Sequence, residues 1–194
     1  IAGCGRSGEA PPSPGTDPTA PTLPNIVLIL SDTHRWDHVS GLSSADPSLT
    51  PEIARLARDG VSFTEVYTPV PISAPAYASL MTGLRPVEHG LLNNQQHLGP
   101  DPPLLQERLQ RLGYRTAAVV GNPFCSSGHG FGRGFDSFWD HIEGRGKEGG
   151  ILTDEAVLRL ESLTGEAPFF LFVAYMDAHT PYIADEIPPS LRVE

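Results

Sequence analysis

A short continuous apolar run, Asn25 to Leu30 (NIVLIL), is rich in β-branched residues and bounded by Pro24 and by Ser31-Asp32. That pattern predicts a strand buried on both faces, as in a parallel sheet. Thr50-Pro51-Glu52 then offers a capping hydroxyl and a proline for the first helical position, which predicts a short helix over Ile53 to Arg58 closed by Gly60. Val61 to Thr68 alternates apolar with polar residues and predicts a second strand. Pro69, Pro71 and Pro75 hold the next stretch extended, ahead of a helix over Ala76 to Thr82 that stops at Gly83. Leu104 to Leu112 and Thr153 to Leu163 have helical periodicity, whereas Tyr114 to Val120 (YRTAAVV) and Phe169 to Met176 (FFLFVAYM) read as strands. Strands separated by helices define an α/β class, a mostly parallel sheet sandwiched by helices.

Ligands of open α/β sheets bind beyond the carboxyl ends of the strands, so the residues after each apolar run carry the candidate chemistry. NIVLIL is followed by Ser31-Asp32-Thr33-His34-Arg35-Trp36-Asp37-His38, YRTAAVV by Gly121-Asn122, and FFLFVAYM by Asp177-Ala178-His179-Thr180. Each such residue alone is an ordinary turn or cap residue; together they mark one rim. Asp32 is the strongest candidate, because a carboxylate at a strand end can coordinate a hard divalent cation, with Asp37 or other oxygens completing the shell. Ser73 precedes the helix at Ala76, where unpaired N–H groups and the helix dipole favour negative charge. Read alone it is a helix cap; its hydroxyl could also attack phosphorus or sulfur while the helix start holds the anionic oxygens. His89, His97, His129 and His141 have no regular metal spacing and read as exposed or capping side chains, with His89, near the Ser73 helix, as the exception.

A length of 194 residues suits one substantial domain, and 39% hydrophobic residues exclude a wholly disordered or fibrous chain. A net charge of −10 makes nucleic acid an unfitting general partner. The cysteines, Cys4 and Cys125, form no disulfide framework, and no apolar run approaches the roughly 18 to 20 residues that cross a bilayer. From Gly5 to Pro24 the chain is rich in Pro, Gly, Ser and Thr, the composition of a tether. The chain therefore divides into a start and tether over 1–24 and a folded part over 25–194. Ile1-Ala2-Gly3-Cys4 resembles the lipobox of bacterial lipoproteins, which implies a lipidated Cys4. The domain is then expected at a membrane surface of the bacterial cell envelope, on the periplasmic or extracellular face.

The string Pro69 to Gly90, PVPISAPAYASLMTGLRPVEHG, resembles the nucleophile region of sulfatases and their relatives in the alkaline phosphatase superfamily. In that region a Cys or Ser, any residue, Pro, any residue and Arg precede a small residue, Leu and Thr-Gly; Ser73, Pro75 and Leu80-Met81-Thr82-Gly83 match. PNIVLILSDTHRWDH is similar to the family's first strand with its metal-binding aspartate, and TPEIARLARDGVSFTEVYTPVP to the stretch that follows. GFGRGFDSFWD at Gly130 to Asp140 and PFFLFVAYMDAHTPY at Pro168 to Tyr182 extend the likeness in collinear order. The resemblance implies an alkaline phosphatase/sulfatase-like fold. It makes Ser73 the nucleophile, oxidised in true sulfatases to formylglycine, and Asp32 a ligand, with Ser73, of a divalent metal that is usually calcium. His179 becomes the histidine that contacts the ester and protonates the leaving oxygen. Arg35, Tyr77 and Asn122 fall at substrate-binding places.

The departures from the pattern are specific. Ser31-Asp32 stands where sulfatases commonly pair two aspartates. Tyr77 replaces the Arg of the maturation motif, which argues for an unoxidised Ser73 and removes a cation that His34, Arg35 or Arg85 would have to replace. Gly121-Asn122-Pro123-Phe124 stands where Gly-Lys-Trp-His is usual. Nothing after Pro188 supplies the later Asp-His or Asp-Asn pair, so the sequence is expected to be the N-terminal part of a longer enzyme, truncated at its C-terminus and weak or inactive in catalysis by itself. Three readings follow: a hydrolase of small-molecule or glycan sulfate esters, a phosphate or phosphonate ester hydrolase using unmodified Ser73, and a non-catalytic envelope binding module.

Overall fold

The computed structural model describes residues 23–42, 46–47, 49–140 and 148–180. Strands β1 (Ile26–Ser31), β2 (Arg115–Val120), β3 (Ser137–Trp139) and β4 (Phe169–Tyr175) form one sheet in the order β1-β4-β2-β3. Every pairing is parallel. Helices α1 (Pro51–Asp59), α2 (Ser73–Thr82), α3 (Pro86–His89), α4 (Leu105–Arg111) and α5 (Gly149–Leu163) connect them. The expected α/β fold is thus present.

The central strand β4 explains why its sequence is apolar throughout: successive side chains face opposite sides, and both sides are covered. Phe170, Phe172 and Ala174 pack with Ala74, Tyr77, Ala78 and Met81 of α2 and with Leu104 and Leu109 at α4. Phe169, Leu171 and Val173 pack instead with Leu152, Ala156 and Leu163 of α5. β1 is covered on one face only, and its Val27 and Ile29 are 50% and 61% exposed.

Two expectations fail: β1 is not buried on both faces, because it stands at the edge of the described sheet, and the second predicted strand is absent. Val61 to Thr68 forms no strand; Val61, Phe63 and Tyr67 are exposed, and no described strand lies beside them to pair their backbone. Thr50 holds the N-cap position of α1 as expected, but its hydroxyl serves no N–H of the helix and instead accepts the Ser40 N–H at 2.8 Å. The sequence pattern also leaves β3 unpredicted. It is delivered to the sheet edge by the glycine-rich segment before it, where Gly130 (φ +91°) and Gly134 (φ +79°) occupy left-handed backbone. A Cβ at Gly130 would come within 2.7 Å of the Leu98 carbonyl oxygen, and one at Gly134 would strike Glu107.

Candidate active site

The strand register brings the rim together. Ser31 lies opposite Tyr175, and Val120 opposite Ala174, so the residues following β1, β4 and β2 emerge side by side. The Asp32 N–H donates to the Tyr175 carbonyl at 2.9 Å, which continues the ladder one residue beyond β1. Thr33 then turns away with φ +58°, an uncommon backbone for a β-branched residue, and its hydroxyl donates to the Ala178 carbonyl at 3.0 Å. That bond ties the loop after β1 to the loop after β4.

Ser73 is the first residue of α2, three residues earlier than the predicted start; Pro75 fits there because a first-turn residue needs no N–H partner within the helix. Ile72 is the capping residue, with an extended backbone and no side-chain bond. Ser73 is therefore not a cap. Its hydroxyl donates to Asp32 Oδ2 at 3.2 Å. Asn94 Oδ1 accepts the Ala74 N–H at 2.9 Å, and the Ile72 carbonyl accepts the Ala76 N–H at 3.1 Å. The Ser73 N–H is left as the first-turn donor that neither of them takes.

Beneath Ser73 lies a buried polar cluster. Asp32 is 8% exposed and Asn122 fully buried, and Asn122 Nδ2 donates to Asp32 Oδ2 at 2.6 Å. Asn122 Oδ1 accepts the Phe124 N–H at 2.9 Å, so both ends of this amide are engaged. Tyr77, one turn along α2 from Ser73, is 3% exposed, and its hydroxyl has no hydrogen-bond partner. Burial first, then the neighbouring Cys125 and Asp32, pushes the phenol far above its ordinary range, which keeps it neutral and a donor. Cys125 is buried in the same cluster, its thiol raised by burial and by Asp32. Above the cluster opens a cavity of about 770 Å³, lined by Asp32, Ser73 and Tyr77 together with apolar residues such as Val66, Ile72 and Leu80.

The candidate residues fare differently. Asp32, Ser73, Tyr77 and Asn122 meet. Asn122, however, is not placed to bind substrate; it holds Asp32 from below. Arg35 pairs through its guanidinium with Asp37 at 2.6 and 2.9 Å on the surface and holds that carboxyl well below the usual range. Asp37 is likewise engaged there rather than at Asp32. His179 sits on the rim past β4, its Nδ1 donating to the Thr180 carbonyl at 2.6 Å, without a bond to Ser73 or Asp32. Asp177 is structural: its Oδ1 accepts the Gly149 N–H at 2.8 Å at the start of α5. Cys4 and His141 lie outside the described residues. His89 is buried, bonded through Nε2 to the Ser79 hydroxyl at 3.0 Å and accepting the Leu91 N–H at Nδ1. His97 and His129 stack with ring centroids 4.8 Å apart. Asn94 and Cys125 were not among the predicted site residues; a polar run such as NNQQ and a lone cysteine carry no local pattern that would single them out.

The oxygens of Asp32 and Ser73 are hard-cation ligands, but a calcium ion takes six to eight oxygens. Asp32 Oδ2 already accepts two hydrogen bonds, and no group of three His, Cys, Asp or Glu that could hold a metal occurs among the described residues. These residues by themselves do not complete such a site, and none of the chemistry derived from them runs through an ion.

The parallel α/β domain thus sets the Ser73 hydroxyl, at the start of α2, against a buried carboxylate at the end of its first strand. The Sulfatase family model matches residues 24–194, and the chain belongs to that family. The chain is 28% identical over 162 residues to the N-acetylglucosamine-6-O-sulfatase of Bacteroides thetaiotaomicron, covering 75% of this chain and 29% of that protein. Its fold matches, at a TM-score of 0.71 and 24% identity, a solved structure in complex with the substrate D-glucosamine-2-N,6-O-disulfate, covering 82% of this chain and 35% of that one. The phosphonate monoester hydrolase of Agrobacterium radiobacter shares the fold at a TM-score of 0.66 and 20% identity, covering 82% of this chain and 42% of that one. The chain spans less than a third of the length of the curated relatives it matches.

Proposed function

We propose that this chain carries the nucleophile-bearing part of a hydrolase of sulfate esters, with the Ser73 oxygen as attacking atom and a sulfated sugar as the substrate class. The observation that carries the reading is the Ser73 hydroxyl held 3.2 Å from Asp32 Oδ2 at the start of α2. With its proton directed at a carboxylate, Oγ keeps a lone pair for an electrophile in the cavity that Ser73 lines. The Ser73 N–H and the α2 dipole favour anionic ester oxygens at the same place. His179 commits Nδ1 to the Thr180 carbonyl, which leaves Nε2 as the nitrogen to meet the leaving oxygen. A calcium ion at Asp32 would draw its further ligands from outside the described residues. Tyr77 in place of the motif arginine supports a serine that works unoxidised rather than as formylglycine, and it also favours the second reading, hydrolysis of phosphate or phosphonate esters. Lipidation at Cys4, read from the Ile1-Ala2-Gly3-Cys4 string, would hold the enzyme at the bacterial cell envelope.

The test uses the full-length protein from its native cell. Mass spectrometry of the N-terminal peptide and of the peptide containing Ser73 reads lipidation and oxidation together. Turnover of p-nitrophenyl sulfate, p-nitrophenyl phosphate and p-nitrophenyl phenylphosphonate is then compared with that of Ser73→Ala. Sulfate turnover lost in Ser73→Ala supports the proposal. Turnover confined to the phosphorus esters moves the enzyme to the second reading, and equal inactivity of both proteins toward all three overturns both.

A further inference from the structure

The Tyr77 hydroxyl lies beside Asp32 and Asn122, near enough for a weak hydrogen-bonding interaction with each, yet meets neither in full hydrogen-bond geometry. Its place is fixed by packing. The ring stands edge-on to Phe131 and Phe172, with centroids 6.4 and 6.2 Å away, inside the core between α2 and β4. A buried donor left without a partner is uncommon and calls for a cause. In this resting arrangement Asp32 Oδ2 is already served by two donors, the Ser73 hydroxyl and the Asn122 amide.

One of those donors is consumed by the reaction. When Ser73 attacks, an Oγ–S or Oγ–P bond forms and the bond from that atom to the leaving oxygen breaks. The hydroxyl proton leaves through Asp32 to solvent, while the departing oxygen is protonated from the His179 side, so the released alcohol is neutral and Asp32 ends without the proton. Oγ is then an ester oxygen without hydrogen, and Asp32 Oδ2, still buried, loses the Ser73 donor.

We propose that Tyr77 is a positioning residue that takes over the Ser73 hydrogen bond to Asp32 as the covalent ester forms at Ser73. This role rests on the reading of Ser73 as a nucleophile that works as serine. The phenol is the suitable replacement because it is neutral, already desolvated, and one helical turn from Ser73 on the same face of α2. It holds Asp32 in place while the ester exists, so its contribution appears in turnover and not in binding the ester. A formylglycine hydrate would keep a second hydroxyl to donate and would have no need of Tyr77.

The test compares Tyr77→Phe with wild type in the full-length protein, with whichever p-nitrophenyl ester, sulfate, phosphate or phenylphosphonate, wild type turns over. Removal of the hydroxyl is expected to lower kcat about 10- to 100-fold, the range seen when a group supporting a catalytic ligand is lost. KM should stay within about twofold, since no ground-state contact to the ester is removed. The melting temperature should be unchanged or higher, because an unpaired buried hydroxyl has gone. A purely structural role would lower the melting temperature and leave kcat unchanged in the folded fraction. Replacement of Tyr77 by 3-fluorotyrosine keeps the ring in place and should shift kcat through the stronger donor even if Tyr77→Phe fails to fold. Unchanged kcat in either folded variant overturns the role alone, as does formylglycine at position 73. A wild type as inactive as Ser73→Ala toward all three esters overturns the hydrolase reading and this role with it.

Discussion

Asn122 Nδ2 donates to Asp32 Oδ2 at 2.6 Å, joining the loop after β2 to the end of β1 across 90 residues of sequence. The same amide, through Oδ1, holds the Phe124 N–H, so a single buried side chain fixes both the carboxylate and the turn that follows β2. Asn122→Leu leaves a buried carboxylate oxygen and a backbone N–H each short of a partner. The expected cost is about 1–3 kcal/mol for each group left unsatisfied, read as a lower urea midpoint. Turnover should fall by about 10- to 100-fold as Asp32 loses its support. A variant with wild-type stability and activity would show that the bond contributes neither.

Ser73→Ala separates two roles that the sequence alone leaves entangled. A serine capping a helix contributes roughly 1 kcal/mol, and its loss lowers stability by that amount. Ser73 caps nothing, because Ile72 holds the capping position and the hydroxyl is spent on Asp32. The alanine variant loses no cap but takes one of two donors from the buried Asp32 oxygen, so it is expected to unfold about 0.5–1.5 kcal/mol more easily than wild type, the net worth of one hydrogen bond. Loss of the nucleophile should meanwhile lower turnover in the full-length protein by at least about a thousandfold. Denaturant unfolding and a rate measurement on one preparation decide it.

What the sequence discloses and what it hides divide along a physical line. Phe169 to Tyr175 was legible because burial on both faces leaves an unbroken apolar run, and Asp32, Ser73 and Asn122 because strand ends and helix starts carry their own punctuation. Val61 to Thr68 was misread because alternation records the intent to pair, whereas a strand exists only beside another strand. β3 escaped because three residues, Ser-Phe-Trp, are too few to show a period. Arg35 is expected at the substrate as a cation to replace the motif arginine lost at Tyr77; its pairing with Asp37 is a matter of side-chain geometry that the sequence does not display. The unpartnered Tyr77 hydroxyl is likewise a property of packing alone.

His89 gives the fold a dependence on pH. Burial lowers its pKa below the ordinary imidazole value, with weaker opposing contributions from nearby backbone carbonyls and Glu88. The neutral ring, donating from Nε2 to Ser79 and accepting the Leu91 N–H at Nδ1, is the form that fits the native contacts. A depressed native pKa means that the unfolded chain binds the proton first. Stability is then complete above about pH 6.5, the ordinary imidazole value, and declines as pH falls toward the native pKa. Melting temperatures measured between pH 7.5 and 5 should fall for wild type and fall less for His89→Gln. Parallel slopes for the two proteins would remove His89 as the cause.

Cys125 offers a measure of how tightly the cluster beneath Ser73 is closed. Its side chain is buried among Tyr77, Met81, Val120 and Phe131, and burial together with the Asp32 charge holds it as a thiol rather than a thiolate. Alkylation requires the thiolate and access, and the native fold denies both. Iodoacetamide at pH 8 should leave the Cys125 peptide unmodified over the time in which urea-unfolded protein is fully labelled, with peptide mass spectrometry keeping Cys4 apart from Cys125. Substituting Asn122→Leu should raise the native labelling rate, because the turn from Asn122 to Cys125 is held by the Phe124 N–H bond and by the Cys125 N–H bond to the Asn122 carbonyl at 3.0 Å. The backbone bond survives the substitution and the side-chain bond does not, so partial opening is the expected result. Rapid labelling of the wild type with its circular dichroism intact would mean instead that this loop opens without unfolding the sheet, and that Asp32 meets solvent from below.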